Sequence, residues 1–130
     1  MKKVLICLLA VSLVACNSKK KLEVGNKTTL SVNKVYEAGE VVLGEEIEAK
    51  FTVKNTGEYP LFLAEVKGSC SCTVASYPEE PIEPGESEVI HATVRTDNAA
   101  EGSLVKEVRV LANTEPSLTI LQIKANVKRK

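Results

Sequence analysis

The chain has 130 residues, with 17 Lys and Arg against 17 Asp and Glu, one His, four Cys and no Trp. That length allows one domain with a leader or tail, and the ordinary shares of apolar (44%) and charged (26%) residues exclude wholesale disorder. The zero net charge is unevenly spread: between Leu22 and Val127 there are 9 basic and 17 acidic residues, a balance of −8, which repels phosphate backbones and disfavours nucleic-acid binding.

The first fifteen residues are expected to lie outside the fold. Lys2 and Lys3 give a charged start, and Val4 to Val14 is apolar except for Ser12. A bilayer-spanning helix needs about 20 such residues, so this run has the shape of a secretory signal peptide, residues 1–15, and not of a stable span. Leu13-Val14-Ala15-Cys16 at its end resembles the lipobox of bacterial lipoproteins. The resemblance implies cleavage before Cys16 and acylation of that residue. Each buried methylene contributes roughly 0.8 kcal/mol and two chains already give stable anchoring, so the mature chain is expected to sit on a membrane through lipid.

Residues 16–27 are polar after Cys16, carry Lys19-Lys20-Lys21 and Gly25, and show little periodicity; they read as a tether. Its flexible part spans about 18 Å, or about 36 Å fully stretched. The domain is therefore expected to work close to the membrane surface.

From Thr28 to Lys130 β-branched residues dominate: Val, Ile and Thr supply 28 of the 115 residues after the leader. The clearest strand is Glu46 to Asn55, where Ile47, Ala49, Phe51 and Val53 alternate with charged or polar neighbours, and Asn55-Thr56-Gly57 closes it with turn residues. Leu30 and Val32 mark an N-terminal strand, Val41 to Leu43 a short one, and Leu61 to Lys67 one of ambiguous register. Ser87 to Thr96, Leu104 to Ala112 and Leu118 to Val127 alternate again. All five prolines fall between these segments, and no window carries a helical stripe. About seven short strands with such turns predict a single all-β antiparallel sandwich over residues 28–130.

With Cys7 in the leader and Cys16 acylated, Cys70 and Cys72 can pair only with each other, and an exported compartment favours oxidation. On an extended strand residues two apart lie about 6.6 Å apart at Cα, near the upper limit of about 6.8 Å for a disulfide, so pairing requires a bent backbone, which Gly68 and Ser69 permit. Three roles stay open: a local staple, a redox pair, or a soft-metal site, since two thiolates suit Cu(I). Zinc wants four ligands and only His91 offers another nitrogen; by alternation His91 falls on the wet face, so no zinc site is expected, and no resident metal or cofactor is assigned. Classical catalysis is poorly supplied. Glu45, Glu46, Glu48, Glu79 and Glu80 fall on wet faces or turns, and no phosphate loop or nucleophile elbow is present.

The chain carries Phe51-Thr52-Val53-Lys54-Asn55-Thr56-Gly57, Pro60-Leu61, Cys70-Ser71-Cys72-Thr73 and Pro81-Ile82-Glu83-Pro84-Gly85, with Gly102 opening the penultimate strand and Asn113 following it. With these pieces Tyr36 to Val127 resembles a bacterial family, domain of unknown function 1573. Two positions depart from the pattern: Ser71 stands where the family has Gly, and Ala38-Gly39 where it often has Phe-Gly. The resemblance implies an immunoglobulin-like sandwich on an exported lipoprotein and no established activity. The expected function is a lipid-anchored, non-catalytic module of the bacterial cell envelope, facing the periplasm and binding or scaffolding another envelope protein; the alternative is thiol redox or Cu(I) handling at Cys70 and Cys72.

Overall fold

The computed structural model describes residues 25–130. The leader, Cys16 and most of the tether lie outside the described residues. Among those described there are eight strands: β1 (Leu30–Val32), β2 (Val35–Val42), β3 (Glu46–Asn55), β4 (Leu63–Gly68), β5 (Thr73–Ser76), β6 (Ser87–Arg95), β7 (Gly102–Ala112) and β8 (Leu118–Lys128). They form two four-stranded sheets, ordered β1-β3-β6-β5 and β2-β8-β7-β4, packed face to face as a sandwich.

The long strands follow from their alternation. In β3 burial switches residue by residue, with Ile47, Ala49, Phe51 and Val53 inward and Glu48, Lys50, Thr52 and Lys54 outward. Its partner β6 sets Ile90, Ala92 and Val94 on the same face, and the opposite sheet answers with Val108, Val110, Leu121 and Ile123. Edge-to-face contact between Tyr36 of β2 and Phe51 of β3, centroids 6.2 Å apart, ties the two sheets together.

Three features depart from the sequence reading. There are eight strands where about seven were expected, because Thr73–Ser76 forms a short strand on β6. The segment expected at Val41 to Leu43 is the end of a longer strand starting at Val35, whose alternation is broken by a bulge between Glu37 and Gly39. That strand runs parallel to β8, while the other strand pairs are antiparallel. The parallel pair arises because only Asn33 and Lys34 separate β1 from β2, so the chain changes sheets without reversing.

Two asparagines brace the end where the domain begins. Asn55 is fully buried: its amide donates to the carbonyls of Tyr59 (2.7 Å) and Ile82 (2.8 Å), while its Oδ1 accepts from Gly57 N–H (3.0 Å) and the Thr28 hydroxyl (2.9 Å). Asn113 donates to the carbonyls of Asn26 and Pro60 and accepts from Phe62 N–H. Gly57 is required in this turn, since a Cβ there would lie 2.0 Å from the Thr28 hydroxyl and 2.7 Å from Thr29 N.

Candidate functional site

The cysteines lie in the connection between β4 and β5, at the opposite end of β6 from the Asn55 brace. The backbone does not continue as a strand through them. It forms a turn in which Thr73 N–H donates to the Cys70 carbonyl (3.1 Å), bringing the two Cα atoms to 5.3 Å, and a disulfide joins the sulfurs. That separation is inside the usual range of about 4.4–6.8 Å, so the near-limit spacing expected from an extended strand does not arise. Gly68 permits the geometry by close approach: a Cβ there would meet the Thr73 carbonyl oxygen at 2.5 Å and the Thr73 Cβ at 2.6 Å.

The turn is fastened on both sides by backbone bonds. Arg95 N–H donates to the Cys72 carbonyl (2.9 Å), Ser69 N–H donates to the Glu107 carbonyl (2.9 Å), and Glu107 N–H donates to the Ser69 hydroxyl (3.3 Å). Bonds from β6 and β7 thus hold the segment without help from the disulfide. The closed loop contains only Cys70, Ser71 and Cys72. Loop-closure entropy for three residues is worth about 1.6 kcal/mol, against about 3 for a fifteen-residue loop. As a staple this bridge is among the weakest the chain can make.

Both cysteines are half-buried and Ser71 between them is exposed. The hydroxyl of buried Thr73 lies 3.8 Å from Cys70 Sγ and 3.9 Å from Cys72 Sγ. Cys72 also lines a small cleft of about 100 Å³ with Arg95, Asp97, Asn98, Ala99 and Lys106. Arg95 and Asp97 approach to 3.7 Å. Alternation in the sequence does not bring Arg95 or Lys106 to the cysteines, since β6 and β7 meet at the turn through pairing that alternation alone does not specify.

His91 is exposed on the outer face of β6, opposite Lys50 of β3 and Ser76 of β5, away from the cysteines. Glu45, Glu46, Glu48, Glu79 and Glu80 are exposed as well. Among the described residues no group of three or more His, Cys, Asp or Glu is arranged to hold a metal ion.

A second feature lies near the start of the domain. β2 pairs with β8 only from Gln122 onward, so Leu118–Leu121 has β7 on one side alone. Gln122 N–H donates to the Lys34 carbonyl (2.7 Å), and by period two the amides of Leu118 and Ile120 point off that same side. β1 is the free edge of the other sheet. Between these two margins runs an open groove of about 400 Å³, lined by Leu30, Ser31, Val32, Glu115, Leu118 and Thr119 among others. At its rim the Lys27 ammonium, by hydrogen bond and by charge, holds the Glu115 carboxyl below its ordinary value.

No curated protein matches the chain. Among solved structures it is similar to a protein of unknown function from Porphyromonas gingivalis W83, with 20% identity and TM-score 0.68, covering 77% of this chain and 47% of that one. It is also similar to the Vibrio cholerae VesB protease, at 15% identity and TM-score 0.59, over 76% of this chain and 31% of that one. A third is the human CEP192 PapD-like domain 7, at 12% identity and TM-score 0.63, over 80% of this chain and 88% of that one. The chain thus spans less than half the length of the first two, and at these identities the likeness is one of fold. The family model described as protein of unknown function (DUF1573) matches residues 28–127, and the chain belongs to that family.

Proposed function

We propose that this chain is a lipid-anchored, non-catalytic contact module of the bacterial cell envelope, facing the periplasm, that receives an extended segment of another envelope protein. The observation that carries the contact reading is the groove between β1 and the start of β8, where margins of both sheets flank one opening. An extended segment entering it can add backbone hydrogen bonds to strand groups that point away from their own neighbours, and side-chain pockets along the groove then supply selectivity. Anchoring is supported by the leader and by Leu13-Val14-Ala15-Cys16. A short tether keeps the groove, which opens where the domain begins, within a few nanometres of the bilayer.

A photo-crosslinking amino acid at Ser31 or Thr119, in cells carrying the full chain, is expected to capture one dominant envelope protein. The same label at Lys50, on the outer face of β3, is expected to capture little. Equal capture from all three positions, or none from the groove, rejects the reading. Cys16→Ser is expected to abolish labelling by radioactive palmitate and release the chain from membranes; persistence of the label removes the anchor from the proposal.

A further inference from the structure

The disulfide turn is not accounted for by the contact reading. Three observations bear on it. The bridge closes a loop of three residues, in a segment that backbone bonds to Arg95 and Glu107 hold as well. Both sulfurs belong to half-buried residues beside an exposed serine, within reach of an incoming group. The two cysteines differ in their neighbours: Cys72 lines a cleft together with the cationic residues Arg95 from β6 and Lys106 from β7, and Asp97 in the same cleft offsets part of that charge through Arg95. Cations beside a sulfur favour its thiolate and make it the better leaving group. The Thr73 hydroxyl, near both sulfurs, can donate to whichever becomes charged.

We propose that Cys70–Cys72 is a thiol–disulfide exchange site for a cysteine pair of another exported protein. A partner thiolate attacks Cys70 Sγ, the bond between the sulfurs breaks, and Cys72 leaves as a thiolate held by Arg95 and Lys106. The partner's second thiolate then attacks its own sulfur in the mixed disulfide and expels the Cys70 thiolate. Two electrons pass from the partner's dithiol to this chain, the partner ends as a disulfide, and the two protons released by its thiols re-protonate Cys70 and Cys72 in equilibrium with solvent. The reverse sequence reduces a partner disulfide through the same Cys70 mixed disulfide.

The test uses the oxidised mature chain and dithiothreitol as the probe dithiol, followed by alkylation and mass spectrometry. The bridge is expected to open at neutral pH with the circular dichroism of the domain unchanged. Lys106→Gln is expected to slow opening by about threefold, as a leaving group of higher pKa leaves more slowly. In Cys70→Ser, the remaining Cys72 thiol is expected to react with iodoacetamide with a midpoint below that of free cysteine, moving upward when Lys106→Gln is added. With oxidised glutathione, Cys72→Ser is expected to accumulate a mixed disulfide on Cys70, and a Cys70 thiol that forms none overturns the order of attack. A bridge that opens only with unfolding, a rate indifferent to Lys106→Gln, or a Cys72 midpoint at or above that of free cysteine overturns the proposal and leaves a structural staple. Capture from Ser31 and Thr119 in the double variant Cys70→Ser/Cys72→Ser reports on the groove separately, so the two readings fail independently.

Discussion

Replacing Asn55 with Ala removes the acceptor of the Thr28 hydroxyl and the donor to the Ile82 carbonyl, both in buried bonds, together with the partly buried bonds to Tyr59 and Gly57. Water entering the vacated space can re-satisfy the partly buried groups. The Ile82 carbonyl keeps its bond from Leu61 N–H (2.9 Å), so the Thr28 hydroxyl is the buried group left orphaned, and the expected loss is about 2 kcal/mol from a penalty of about 1–3 kcal/mol. That is a sizeable part of the roughly 5–15 kcal/mol typical of a domain, and corresponds to a fall in Tm of about 10 °C. Urea unfolding followed by far-ultraviolet circular dichroism measures it, as a lower midpoint at unchanged slope. Asn55→Asp refines the test, because the new carboxylate faces the same two carbonyl oxygens in a buried site. Its folded pKa is therefore raised above the unfolded value of about 3.9. A raised acid contributes its stability below the unfolded pKa and loses it as pH rises toward the folded pKa, so this variant is expected to weaken progressively above about pH 4. A loss below about 1 kcal/mol in Asn55→Ala, or a flat stability profile above pH 4 in Asn55→Asp, refutes the reasoning that this amide braces the end of the sandwich.

Gly68→Ala forces a methyl against the Thr73 backbone and is expected to cost about 1–3 kcal/mol by thermal unfolding, with faster reduction of the bridge as the turn shifts. Phe51→Leu keeps the core filled but loses the edge-to-face contact with Tyr36; a double-mutant cycle with Tyr36→Leu is expected to return a coupling of about 1 kcal/mol. A carbon-detected titration of Glu115 is expected to give a midpoint below 4.5 that returns toward the ordinary value in Lys27→Ala. Since that pKa is lowered in the folded state, the ion pair acts above the ordinary carboxylate value and fades as pH falls through the folded one; its exposure makes the effect small and sensitive to salt.

Alternation made the long strands legible, and the same count would have exposed the brace. Continuing the inward row of β3 past Ile47, Ala49, Phe51 and Val53 reaches Asn55, and an amide at an inward position has to find partners. The inward row of β6 ends likewise in buried Thr96, whose hydroxyl accepts from Gly44 N–H and donates to the Glu45 carbonyl, and that of β7 is followed by buried Thr114. Reading Asn55 and Gly57 only as turn residues caught the chain reversal and missed this second role. β2 was illegible for a different reason: Tyr36 and Ala38 face the core, the bulge before Gly39 shifts parity, and Val41 faces it again, so no single period covers the strand. The cysteine turn was legible as chemistry but not as geometry. Its spacing named the pair, whereas the Cα separation, the fastening to β6 and β7 and the cations of the cleft depend on contacts between residues far apart in the chain.

The two candidate sites occupy opposite ends of the molecule, and that arrangement follows from topology. The described chain enters beside Asn113 and Asn55, where Thr28 N–H donates to the Asn113 carbonyl, and the groove opens along this end. The cysteine turn is fastened to Arg95, the last residue of β6, whose first residue Ser87 pairs with Lys54 beside the brace. The nine residues of β6 make eight rises of about 3.3 Å, which separate the ends by roughly 26 Å. Under the proposed anchor at Cys16, the tether joins the domain at the groove's end and the disulfide lies at the far one. Attaching the anchored tether after Lys130 instead, beyond the end of β8 where Val127 pairs with Gly102, would exchange the two placements without cutting the cleft. Exchange with a soluble dithiol protein is then expected to slow while exchange with dithiothreitol, which is small enough to reach either end, stays the same.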